Sequence, residues 1–107
     1  MYSRVSRFNI PADKIELAIR SMQGRVDAGT QRHEAFAGFA GETLLVDHEG
    51  QEAVLIVYYK DKASMDSSAE PARQLRDQVV SGLGAEAVSV NEYQIAVSDM
   101  PSPITTD

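Results

Sequence analysis

"VLIVYYKDKASMD", Val54 to Asp66, is the stretch on which the fold turns. The residues from Ala53 to Val57 are apolar, two tyrosines follow, and charge then rises abruptly. β-Branched and aromatic residues in an unbroken run predict a strand. Asp61 suits the N-cap of a following helix, and the chain reads as helical from Lys62. Side chains alternate along a strand, so Val54, Ile56 and Tyr58 point one way and Leu55, Val57 and Tyr59 the other. Both faces are therefore apolar.

Immediately upstream, "GFAGETLLVD" (38 to 47) reads as another strand. The short polar "HEGQ" joins it to "EAVLIVYYK" (52 to 60), which makes the pair a hairpin. Further back, "YSRVSRFNI" (2 to 10) carries Tyr2, Val5, Phe8 and Ile10 and reads as the first strand, stopped by Pro11. In "PADKIELAIRSMQGRV" the residues Ile15, Ala18, Ile19, Met22 and Val26 recur at helical spacing, with Pro11 in the first turn. Gly29 helps end that helix, and 28 to 37 is helix remnant and loop.

Downstream, Pro71 marks a break between a short turn and a main helix whose apolar residues are Ala72, Leu75, Val79 and Leu83. "GLG" (82 to 84) closes it. A last strand fits "EAVSVNEYQIAV" (86 to 97), with a bulge or change of buried face between Val90 and Tyr93. The expected domain spans 1 to 97, and 98 to 107, with two prolines and no pattern, reads as a flexible tail.

The order β-α-β-β-α-β predicts an α+β, ferredoxin-like fold, an antiparallel four-stranded sheet with both helices on one face. Helices cover one face only, yet strand three is apolar on both. Burying one such stripe removes on the order of 100–200 Å² of apolar surface, worth a few kcal/mol at ~25 cal/mol per Å². A second copy packed sheet to sheet would cover it, so a two-fold homodimer enclosing a shared barrel is expected.

Bulk composition narrows the function classes. The chain has 107 residues, 43% of them hydrophobic, and no cysteine, which leaves no disulfide framework and no thiolate metal site. No apolar run approaches the ~18–20 residues needed to span a bilayer. The opening "MYSRVSRFNIP" lacks the apolar stretch of a signal peptide, so a cytoplasmic protein is expected, without a membrane partner. A net charge of −6 disfavours a nucleic-acid partner. The pairs Arg4 with Arg7 and Arg73 with Arg76 read as solvated or salt-bridged faces. His48 sits in the acidic hairpin "DHE", far in sequence from His33, and the two do not make a metal site. The serines at 64, 67 and 68 have no histidine at a telling spacing, and "GLG" ends a helix where a phosphate cradle would open one.

The element order, "GFAG" at the head of strand two, and an aromatic closing strand three before a charged helix start resemble the antibiotic biosynthesis monooxygenase type of dimeric α+β barrel. The resemblance spans roughly residues 2 to 97. Where many relatives carry Trp followed by an acid, this chain has Tyr59 followed by Lys60, with Asp61 one step later. The resemblance implies a pocket between sheet and helices for a small aromatic or quinone-like molecule. It also implies oxygenation without metal, flavin or other cofactor, the deprotonated substrate supplying electrons to oxygen. The haem-degrading variant of the family uses a helix-two histidine with an Asn and a Trp. Here residues 62 to 83 contain no histidine and the chain contains no Trp, which excludes that arrangement.

Tyr59 and His33 are the candidate catalytic residues, and Tyr58, Asn9, Phe39 and Met65 the candidate ligand-binding ones. Tyr59 either stacks on a ring or donates its hydroxyl to a developing oxyanion, or else is a packing aromatic with a wet hydroxyl at the barrel edge. His33, between Arg32 and Glu34, is either a base or a solvated loop histidine. Which tyrosine faces the helices is open at this level. Two other functions stand beside the oxygenase: a non-catalytic dimeric ligand-binding or structural domain, and a pocket filled by Met22, Met65 and Leu75.

Overall fold

A computed structural model describes residues 1–28 and 37–99. Strand β1 (Tyr2–Asn9) leads through a 3-10 turn (Ala12–Lys14) into α1 (Ile15–Ala28). The hairpin is β2 (Phe39–Asp47) and β3 (Glu52–Tyr59); α2 (Lys62–Ser67), α3 (Ala69–Leu83) and β4 (Glu86–Gln94) complete the chain. The sheet order is β2-β3-β1-β4, and every neighbouring pair is antiparallel. The protein thus has the α+β, ferredoxin-like architecture expected from its element order.

Register fixes which side chains share a face. Phe8 lies opposite Ala53, Ser6 opposite Leu55, Arg4 opposite Val57 and Tyr2 opposite Tyr59. Phe8, Leu55, Val57 and Tyr59 meet side chains of α1 and α3 across two hollows, so both helices cover this face. Tyr59 therefore faces the helices, and Tyr58, beside it, faces the other way. Phe8, Ile10, Ile15, Met22 and Leu55 are the buried centre of the core. The opposite face carries Val54, Ile56 and Tyr58, with Leu45 of β2 and Tyr93 of β4 about half exposed.

Local chemistry explains the boundaries. Asp61 caps α2 by accepting the Ser64 amide at 2.7 Å, and that hydrogen bond holds its carboxyl below the usual carboxylate range. Gly84, at φ 62°, supplies the left-handed residue that ends α3. Gly38 adopts φ +78°, and a methyl group there would sit 2.0 Å from the Ser64 hydroxyl oxygen. Glycine is thus what allows β2 to start against α2.

Four boundary expectations are corrected. Pro11 is extended (ψ 139°) and precedes the 3-10 turn, so α1 begins only at Ile15. The break in the second helical segment falls at Ser68, which ends α2 and starts α3; Pro71 sits in the first turn of α3, where no backbone donor is required. The bulge in β4 lies at Val88, between the pairs Arg7↔Ser89 and Phe8↔Ala87, and not between Val90 and Tyr93. Strand β4 stops at Gln94 because β1 runs out: Ile95 N–H donates to the Met1 carbonyl at 2.9 Å and no partner continues. Val26, expected on the buried stripe of α1, is 42% exposed. Gly29 and nearly all of the expected tail lie outside the described residues.

Candidate functional site

The site is built on Arg4. Its side chain points under the helices because it shares strand parity with Ser6 and Phe8, and the residue is only 3% exposed. An arginine has five N–H donors, and all are used. Nε donates to Glu92 at 3.2 Å, and Nη2 to Glu92 and to the Met65 carbonyl, both at 2.9 Å. Nη1 donates to the Tyr59 hydroxyl at 3.0 Å and to Ser68 Oγ at 3.2 Å. The guanidinium carbon also lies 5.4 Å from the centre of the Tyr59 ring. A buried charge so fully paired is a rigid fixture, tying β1 to β3, to β4 and to the α2–α3 junction.

Above Arg4 and Tyr59 a hollow opens between the sheet and α3. Its apolar wall includes Phe8, Phe39, Leu55, Val57 and Val79; its polar groups are Arg4, Ser6, Tyr59, Glu42 and Arg76. About 450 Å³ is free of atoms, mouth included, while only about 30 Å³ is wide enough to seat the centre of a water. A second hollow, with about 500 Å³ free of atoms and about 60 Å³ wide enough for the centre of a water, is lined in part by Met22, Arg25 and Leu83 and lies on the far side of Phe8, Leu55 and Val79. Protein interiors normally leave few such voids. They exist here because α3 rests lightly on the sheet: none of its 15 residues is fully buried.

Arg76 has neither a hydrogen bond nor a salt bridge among the described residues, although its neighbour Arg73 is held by Glu70 and Asp77. Burial, and then the positive charge of Arg4, pull the Arg76 guanidinium below its ordinary value. Glu42 lies 3.8 Å from Arg25, which counters its charge.

The expected site residues fall in different places. Tyr59, 1% exposed, and Phe39 line the first hollow together. Met65 is buried beneath it and contributes its carbonyl to Arg4. Tyr58 is on the opposite face of the sheet. Asn9, paired with Glu52, lies at the far end of β1 from Tyr2 and Tyr59, roughly 23 Å away at the usual strand rise. The structure does not bring Asn9 or Tyr58 to Tyr59. His33 lies outside the described residues. His48 sits 3.4 Å from exposed Glu16, and Asp47 accepts the Gly50 amide, so "DHE" is a turn fastened to α1. Among the described residues no three His, Asp or Glu side chains gather as a metal site, and no helix is long and apolar enough to cross a membrane.

Arg4, Arg76 and Glu42 were not among the candidate catalytic or ligand-binding residues picked from sequence. The reading of Arg4 and Arg76 as solvated or salt-bridged faces holds for Arg4 only in its ion pair with Glu92, since the residue is buried, and is corrected for Arg76, which is half-buried with no salt bridge among the described residues. The signal was parity with apolar neighbours. Arg4 keeps step with Phe8, Glu42 with Leu44 and Val46, and Arg76 sits at helical spacing from Ala72 and Val79.

No protein-family model matches the sequence, and no curated protein matches it. Solved structures do match the fold. A dimeric ferredoxin-like protein from an uncultured marine organism aligns at TM-score 0.67 and 11% identity, over 94% of this chain and 100% of that one. A provisionally assigned antibiotic biosynthesis monooxygenase from Deinococcus radiodurans aligns at 0.60 and 14%, over 94% and 100%. SnoaB, a cofactor-independent oxygenase from Streptomyces nogalater, aligns at 0.60 and 18%, over 91% and 94%. The chain thus has the fold of the antibiotic biosynthesis monooxygenase-type structures across nearly its whole length.

Proposed function

We propose that this protein binds a small aromatic or quinone-like molecule in the hollow between the sheet and α3 and oxygenates it without a bound cofactor, as a homodimer. The observation that carries the proposal is an underpacked apolar hollow with one polar end. Arg4 donates to the Tyr59 oxygen, and the phenolic proton has no acceptor among the described residues. That hydroxyl is free to donate to a ligand oxygen, while Phe39 and the β3 side chains offer apolar contact for a ring. A ring would have to displace side chains of α3, and their half-buried state makes that inexpensive. SnoaB, a cofactor-independent oxygenase of this fold, supports the choice of chemistry.

In that reaction an acidic ring carbon loses a proton, and its electrons pass to dioxygen as a carbon–oxygen bond forms. The O–O bond then breaks: one oxygen remains as a carbonyl and the other leaves as water with the two hydrogens of the original CH₂. The chain's own residues orient the ring and hold the developing oxyanion at Tyr59.

A second function, ligand carriage without chemistry, is favoured by one observation. Glu42 is the sole carboxylate lining the hollow among the described residues, and Arg25 stands beside it. Thermal shift against flat aromatics and quinols, with oxygen uptake followed for each hit, separates the two. Uptake that falls at least tenfold in Tyr59→Phe supports the oxygenase; stabilisation without uptake supports carriage, and the absence of any stabilising ring sinks both.

A further inference from the structure

We infer that the molecule bound in this hollow is an anion, an aromatic ring carrying a carboxylate or phenolate oxygen, and that Arg76 is the residue that recognises its charge. The inference rests on the ligand-binding function proposed above and narrows its chemistry.

Three observations support it. Arg76 lines the hollow half-buried with no hydrogen bond or salt bridge among the described residues, whereas Arg4, beneath it, has no donor left. A partly desolvated guanidinium without a counter-ion is costly, and the exposed alternative is available to it on a helix surface; an anion entering the hollow would supply the missing acceptor. Its charge is already strained by burial and by Arg4, so neutralisation stabilises it further.

The wider balance of charge agrees. The chain carries a net −6, yet of the three arginines that line the two hollows Arg4 is paired with Glu92 and Arg25 stands beside Glu42, which leaves Arg76 as the one without an ion pair among the described residues. The negative surroundings would repel anions in general, so the selection occurs inside the hollow, where the dielectric is low and charge pairs count most.

The test uses two near-isosteric probes, 2-naphthoate and the neutral 2-naphthamide, titrated into the full chain by calorimetry. Wild type is expected to bind the naphthoate at least tenfold more tightly. Arg76→Gln should bring that ratio close to one by weakening the naphthoate alone, and Arg76→Lys should restore part of it. The unchanged naphthamide affinity serves as the check that each variant keeps its hollow. Equal binding of both probes by wild type, or a preference that survives in Arg76→Gln, overturns the inference while leaving the ligand site standing. Binding of neither probe to wild type removes the ligand site, and the inference with it.

Discussion

Arg4 shows how one side chain can set a site. A strand arginine of ordinary appearance becomes, by parity alone, the centre of a network joining Tyr59, Ser68, Met65 and Glu92. Replacing it with Met would take the donors from Glu92 and the Tyr59 oxygen and leave the Met65 carbonyl only Ser68, whose hydroxyl lies 2.8 Å away, at a cost of about 3 kcal/mol for lost buried partners. In a domain of this size that predicts a fall of roughly 10–20 °C in the melting temperature. Arg4→Lys should recover only part, because an ammonium offers three donors where the guanidinium offers five. Scanning calorimetry of the two variants checks this; a variant Arg4→Met melting within a few degrees of wild type would show that the network contributes little.

At the level of elements, the placement of β2 against α2 depends on the absence of a side chain. Gly38 passes under Ser64 with a positive φ, and its carbonyl accepts the Lys60 amide at 3.0 Å. Gly38→Ala must both strain the backbone and push Ser64 away, so a loss of about 1–3 kcal/mol is expected in urea unfolding, with the slope unchanged. Trimming Ser64 to Ala would give little relief, since its Cβ already lies 2.4 Å from the added carbon. Because Phe39 follows directly and lines the hollow, weakened ligand binding should accompany the loss.

On the scale of the whole molecule, the uncovered face of the sheet is the dominant feature. Ile56 and Tyr58 stand there beside Leu45, with Tyr93 54% exposed on β4. Val54 on this face is already buried, and pairing of two such faces would cover the partly exposed Ile56, Tyr58, Leu45 and Tyr93, at ~25 cal/mol per Å². Light scattering should therefore give twice the chain mass at micromolar concentration. Ile56→Lys should halve that mass while leaving the circular dichroism of the fold intact. A wild-type chain that scatters as a single copy would refute the pairing.

What the sequence by itself determined was the order and kind of the elements, because strand alternation and helical spacing are local. The apolar run of β3, the Asp61 cap and the Gly84 stop were all legible for the same reason. It also marked Tyr59 and Phe39, which the fold places along one hollow. The tertiary structure alone decided which tyrosine faces the helices, since an isolated strand apolar on both sides has no inner face until its partners are in register. It likewise separated Asn9 and Tyr58 from Tyr59, moved the helix break to Ser68, and turned Arg4 and Arg76 inward. Charge on a sequence suggests solvent, and only packing shows where a guanidinium has been taken out of it.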